Sequence, residues 1–260
     1  MSGEIEINGH TFTLDTHQGR RGSGEAITLK KPMWMLDRYR ELATEFPAPN
    51  MVEVGLWDGG STAFLAATFQ PRALVGIELD ERPLEALDRF LADSPLQPRV
   101  HAYTGVDQAD TERLTQLVDT HVEGELDVVI DDASHLLEPT TATFDCLFPR
   151  LRAGGVFVIE DWSHDHQMAF GIRRALARGE LDPDQVVTGD GRIPDSPQSR
   201  IILDCVLATA NNDGVIADVR VRQGLAEVRR GDGPVPDDFS IRDHIGEMGR
   251  LVSPRPANPD

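Results

Sequence analysis

Two acidic pairs stand at the ends of apolar runs, in Ile130-Asp131-Asp132-Ala133-Ser134-His135 and in Ile159-Glu160-Asp161-Trp162. Carboxylates crowded together raise one another's pKa unless a cation sits among them. A set of oxygen donors with an imidazole and no thiolate selects a hard divalent ion, Mg2+ or else Mn2+ or Ca2+, over zinc. One such pair reads as a cap for the following helix; two pairs after consecutive runs read as a metal site. Upstream, Glu53-Val54-Gly55-Leu56-Trp57-Asp58-Gly59-Gly60-Ser61 puts glycines at a turn leading into a helical stretch, where a ligand can approach the backbone closely. The spacing is G-x-x-x-G-G rather than the dinucleotide G-x-G-x-x-G, and Glu53 suits a ligand bearing an ammonium or sulfonium charge better than a pyrophosphate. In Gly76-Ile77-Glu78-Leu79-Asp80, Glu78 is placed to accept from both hydroxyls of a ribose, while Asp80 reads equally as a helix cap. Asp107, in Gly105-Val106-Asp107-Gln108, could accept from an adenine amino group or be a turn residue.

These residues need a scaffold that brings strand ends together. Apolar strand-like runs (51–55, 73–77, 99–103, 126–130 and 155–159) alternate with helical stretches (61–69, 83–91, 111–118 and 138–148). In the stretch 83–91, Leu84, Leu87, Phe90 and Leu91 share one helical face. Five alternations predict an α/β fold, a Rossmann-like, doubly wound, mostly parallel sheet, whose ligands sit beyond the carboxyl ends of the strands. All four acids and His135 are then expected in one crevice. Near the far end, 200–208 and 215–229 are rich in Ile and Val and joined by Asn211-Asn212-Asp213-Gly214, so they are expected to add an antiparallel C-terminal hairpin, making seven strands. Residues 189–199 read as a loop, and Pro32 to Phe46 as an amphipathic helix. The expected organisation is an N-terminal arm over 1–31, a catalytic domain over 32–252 and a frayed tail over 253–260.

The 260 residues carry 25 Lys and Arg against 44 Asp and Glu, a formal charge of −19, so a nucleic-acid partner is not expected. The hydrophobic fraction of 40% suffices for a single core. Cys146 and Cys205 lie in apolar runs without disulfide or zinc spacing and are expected in the core. The acidic N-terminus is no secretory signal and no apolar stretch is long enough to span a bilayer, so a cytoplasmic protein without a membrane partner is expected.

The order E-x-G-x-x-x-G-G-S, G-I-E, D-D-A-S-H and I-E-D-W resembles class I S-adenosylmethionine-dependent methyltransferases. Within them it is most similar to the metal-dependent sugar O-methyltransferases of antibiotic biosynthesis, a group of macrolide deoxysugar, rhamnosyl and cephalosporin-hydroxylase-like proteins. The resemblance spans Lys30 to Trp162 and implies an S-adenosylmethionine- and Mg2+-dependent O-methyltransferase acting on a sugar hydroxyl of a glycosylated natural product. It assigns the metal to Asp132, Glu160 and Asp161, and catalysis to His135 as base together with Asp132. It assigns the methyl donor to Glu53, Gly55, Gly59, Gly60, Ser61, Glu78, Asp107 and Asp131. A homo-oligomer is expected by the same analogy. His164, His166 and Trp162 are expected near the acceptor or in packing, and His101 away from the crevice. Rival readings are a catechol-like phenol as acceptor and, from another class, a nicotinamide-dependent oxidoreductase, which the glycine spacing disfavours.

Overall fold

The computed structural model describes residues 2–15, 27–92, 94–182, 197–211, 213–236 and 238–245. The 253–260 tail, residues 16–26 of the arm and most of the 189–199 loop therefore lie outside the described residues. A small sheet comes first: β1 (Ser2–Ile7) pairs with β2 (His10–Asp15) as a hairpin, and β3 (Thr28–Leu29) lies parallel to β2. Next come α1 (Met33–Glu45), β4 (Asn50–Val54), α2 (Gly60–Phe69), β5 (Ala73–Glu78) and α3 (Glu85–Ala92). The alternation continues with β6 (Val100–Thr104), α4 (Thr111–His121), β7 (Leu126–Asp131), α5 (Leu137–Leu147), β8 (Leu151–Glu160) and α6 (His164–Ala177). The chain closes on α7 (Ser199–Ala208), β9 (Ile216–Arg222) and β10 (Leu225–Arg230).

The main sheet has seven strands in the order β6-β5-β4-β7-β8-β10-β9. The first five are mutually parallel, and β10 is antiparallel to both β8 and β9. The doubly wound, mostly parallel sheet is as expected from the alternation. The strand order reverses direction between β4 and β7, which opens a crevice above their carboxyl ends.

The C-terminal hairpin sits elsewhere than expected. Residues 200–208 form α7, not a strand, because Ile201, Ile202, Cys205 and Ala208 recur at helical spacing and are the side chains that reach the core. The hairpin lies wholly within 216–230 and turns at Gln223-Gly224, and 211–214 joins α7 to β9. Ile and Val content favours strands, but tertiary burial of one face decided for helix.

Strand parity sorts the core into two layers. Val52, Val75, Val129 and Phe157 face α4, α5 and α7, whereas Met51, Leu74, Val128 and Val158 face α1, α2 and α3. The same parity governs the polar residues at the strand ends. Cys205 is buried, and Cys146 is half-buried beside the Thr115 hydroxyl at 3.4 Å. Among the described residues, no helix is long and apolar enough to cross a membrane.

Candidate active site

Two cavities meet above the carboxyl ends of β4 and β7. The larger, about 650 Å3, is lined by Lys31, Trp57, Ser61, Asp132, His135, Glu160 and Asp161 among others. The smaller, about 370 Å3, is lined by Glu78, Asp107, Gln108 and Leu136 among others. They share Gly55, Trp57, Asp132 and Ala133 as a common wall.

The acidic pairs do not all point into one crevice. Adjacent residues at a strand end face opposite sides of the sheet. Asp131 is fully buried on the α4 and α5 side, where Gln108 donates to it at 3.2 Å and the Ala133 amide at 3.3 Å. Burial pushes its pKa up to about 7. It lines neither cavity. Asp132 faces the other way, into the wall between the cavities.

Glu160 is buried beneath α1, and both its oxygens accept from the Lys31 ammonium at 2.7 Å; Tyr39 donates to it as well. Lys31 also donates to Asp132 Oδ2 at 2.8 Å. Burial works against the charge on Lys31, but the two carboxylates outweigh it and hold the ammonium above its ordinary range. One ammonium neutralises one carboxylate; burial and the like charge of Asp132 push Glu160 upward. Asp161 escapes this cage because its backbone turns into the left-handed region, φ 49°. Burial and then Asp132 raise its pKa.

Asp132, His135 and Asp161 each bring one donor atom to within 4.8 Å of the others. His135 also has a left-handed backbone, φ 56°, as does Trp57 at φ 57°. Such conformations cost about 1–3 kcal/mol each at a non-glycine residue and persist where surrounding structure holds them, commonly at functional sites. His135 Nδ1 is buried without a hydrogen-bond partner. The carboxylates of Asp132 and Asp161 fit a hard divalent ion, with the His135 imidazole beside them; Glu160 lines the same cavity, its oxygens held by Lys31 and Tyr39.

On the donor side, Glu78 accepts from the Leu56 amide at 3.0 Å, the Trp57 amide at 2.6 Å and the Asp80 amide at 2.9 Å. It thus clamps the glycine turn to β5 while lining the smaller cavity. Asp107 is exposed on that cavity and accepts from the Ala109 amide at 2.8 Å. Glu53 is fully buried, and neither carboxylate oxygen has a hydrogen-bond partner. Burial pushes its pKa up to about 7, which Ser61 and Lys31 offset only in part.

The glycines are explained first by packing. A Cβ on Gly55 would lie 2.4 Å from the Asp132 carbonyl oxygen, and one on Gly60 would lie 1.9 Å from that of Thr28. Gly59 abuts Leu87. Gly55 and Ser61 line the cavity; Gly59 and Gly60 do not. The bare Gly60 lets β3 dock on α2, and that docking delivers Lys31 to Asp132 and Glu160.

The other histidines divide. His164 opens α6 with its ring 5.7 Å from that of His135, and His166 shares a hydrogen bond with Ser199 at 2.8 Å. Trp162 donates to the Arg222 carbonyl at 2.8 Å and packs against the core. His101 stacks on His121 at 3.7 Å, away from both cavities. Lys31 and Tyr39 carry no signal in the sequence pattern, because a lysine before a proline and a tyrosine on an amphipathic helix are ordinary. Trp34, also unmarked, stands 41% exposed near Asp161 and Gly224.

Residues 52–162, the strands and turns that build both cavities, match a family model described as a methyltransferase domain. This stretch of the chain is similar to a methyltransferase domain. A 2'-O-methyltransferase of 8-demethyl-8-alpha-L-rhamnosyl tetracenomycin-C from Streptomyces olivaceus is 29% identical over 161 residues, 57% of this chain and 39% of that protein. Demethylmacrocin O-methyltransferase of Streptomyces fradiae is 32% identical over 127 residues, 49% of this chain and 27% of that protein. The chain thus spans well under half the length of these relatives. Among solved structures, the MycE methyltransferase of the mycinamycin biosynthetic pathway, in complex with Mg and SAH, superposes with a TM-score of 0.55 at 21% identity. That match covers 84% of this chain and 57% of the other. The O-methyltransferase TomG of Streptomyces achromogenes, in complex with SAM, gives 0.52 at 18%, covering 77% and 81%. At these identities the superpositions show that the chain shares their fold.

Proposed function

We propose that this protein is an S-adenosylmethionine- and Mg2+-dependent O-methyltransferase that acts on a sugar hydroxyl of a glycosylated natural product. The observation that carries the reading is the common wall: a cavity with Glu78 and Asp107 meets a cavity with Asp132, His135 and Asp161 at Gly55, Trp57, Asp132 and Ala133. A nucleoside donor in the first would face an acceptor in the second across one residue layer. That the Streptomyces olivaceus relative is named for a rhamnosyl compound supports the acceptor class.

Each residue has a role in this reading. Glu78 would take the ribose hydroxyls and Asp107 the adenine amino group, and the buried Glu53 would balance the positive end of the donor. Asp132, Glu160 and Asp161 would hold the ion, which when bound lowers the pKa of a coordinated hydroxyl. Methyl transfer from sulfonium to alcohol is an in-line displacement: the C–S bond breaks as the C–O bond forms, and the hydroxyl proton passes to His135. Alignment of the two reactants is worth about 7–11 kcal/mol of the barrier. Trp57 lines the acceptor side and Trp34 stands exposed near Asp161, and an indole face suits the C–H face of a sugar ring.

The test is methyl transfer from labelled S-adenosylmethionine to a panel of desmethyl glycosides and catechols, with and without EDTA. Glycosides are expected to be methylated and EDTA to abolish turnover, with recovery on adding Mg2+. Turnover in thoroughly chelated enzyme would remove the ion, and a preference for catechols would change the acceptor class. S-adenosylhomocysteine failing to bind in calorimetry would remove the reading altogether.

A further inference from the structure

The outermost strand of the main sheet, β9, lines neither cavity, and its outer edge bears exposed apolar and charged side chains in alternation. We propose that β9 is the interface between two copies of this chain, which pair antiparallel about a twofold axis at Val219 to make one continuous sheet, with α7 packed on its copy beside that axis. The partner is a second copy because the strand is complementary to itself.

Among the described residues β9 is paired on its inner side alone, to β10. Arg222 opposite Leu225 closes the turn Gln223-Gly224, so Asp218, Arg220 and Arg222 exchange backbone bonds with β10. The N–H and C=O groups of Val219 and Val221 therefore point outward, and such an edge templates another strand. In an antiparallel pair about a twofold axis perpendicular to the sheet, the residue on the axis meets itself. With Val219 there, Ile216–Arg222 is centred on the axis and Asp218 stands opposite Arg220 of the second copy, at two symmetric places. With Arg220 there, two guanidinium groups would be directly opposed, which is destabilising. Within its own strand Asp218 already lies 3.5 Å from Arg220 on the same face, so two copies would interleave these charges. One acid and two arginines leave β9 close to neutral in a chain of formal charge −19, and two otherwise acidic molecules can approach there. The apolar surface follows the same axis. Val219 packs toward the core on the α7 side, and Val221, 46% exposed, shares that side. On α7, which packs against β9, Leu203, Val206 and Leu207 recur at helical spacing on the outer face, 58%, 44% and 49% exposed. The axis keeps both α7 helices on one side of the joined sheet, where these side chains meet their copies.

The experiment is sedimentation velocity of the full chain over a concentration series, with folding checked by circular dichroism. The wild type is expected to sediment as a dimer that dissociates on dilution. Asp218→Arg opposes like charges at both cross-strand places and is expected to raise the dimer Kd about tenfold or more, and adding Arg220→Asp exchanges the pair and should restore it to within about threefold. Leu203→Lys with Leu207→Lys should weaken the dimer about tenfold or more by putting charge into the contact between the two α7 helices. Should Asp218→Arg not fold, Val221→Pro decides in its place, since it removes an outward amide without touching the bonds to β10 and is expected to abolish the dimer. A monomer at every concentration, a dimer indifferent to these substitutions, or a charge exchange that restores nothing overturns the proposal.

Discussion

Glu53 is a fully buried acid that Ser61 and Lys31 compensate only in part, and its replacement by Gln isolates one charge whose effect on stability has a defined sign. Burial lifts its pKa from 4.5 to about 7. The folded protein therefore binds this proton more tightly than the unfolded chain. Between those two values the folded state carries more protons, so stability falls as pH rises and the loss is complete above the folded pKa. At 1.36 kcal/mol per pH unit the lift is worth about 3 kcal/mol, of which about 2–3 kcal/mol falls between about pH 5 and 8. Gln is neutral throughout, so whatever fixed cost its amide brings does not vary with pH. In a chain of this size each kcal/mol moves Tm by about 2–4 °C. The Tm of wild type relative to Glu53→Gln should accordingly fall by about 5–10 °C across that window, measured by calorimetry without ligand. Parallel Tm curves for the two proteins would mean that Glu53 ionises as it does in water, and the premise of a buried carboxylate compensated only in part would be wrong.

His135→Gln should retain Mn2+ binding within about threefold while turnover falls about 100-fold or more, as expected of a general base; an equal loss of both would make the imidazole a ligand instead. Gly60→Ala drives a Cβ to 1.9 Å from the Thr28 carbonyl oxygen, so β3 must lift off α2. Urea denaturation should show a loss of about 3 kcal/mol, and a loss below about 1 kcal/mol would mean that the contact relaxes freely. Arg38 on α1 pairs with Glu227 on β10 through two bonds of 2.7 and 2.6 Å, both side chains buried. Arg38→Met should cost about 3–5 kcal/mol by stranding Glu227, and Arg38→Met with Glu227→Leu should recover most of it; equal costs would show that packing rather than charge is lost.

Much of the sheet was legible because its signals are local. The runs 51–55, 73–77 and 126–130 are unbroken apolar segments, as a strand covered on both faces requires. Periodicity located α3 and α4 for the same reason. Residues 200–208 misled because their Ile and Val content says strand while their spacing says helix, and the core against α5 decided between them. The divergence of the acidic pairs was available in principle: neighbours at a strand end point to opposite faces, which already separates Asp131 from Asp132.

The amino-acid sequence alone determined the α/β alternation, the glycine turn and the acids at the strand ends, since these follow from side-chain periodicity and from residue types a few positions apart. Only the tertiary structure decided which acids meet. Lys31 and Glu160 are 129 residues apart, and their contact depends on β3 docking, sheet order and the parity of β8 together. A charge buried by long-range packing is compensated by whatever that packing brings beside it, and no local pattern encodes the partner.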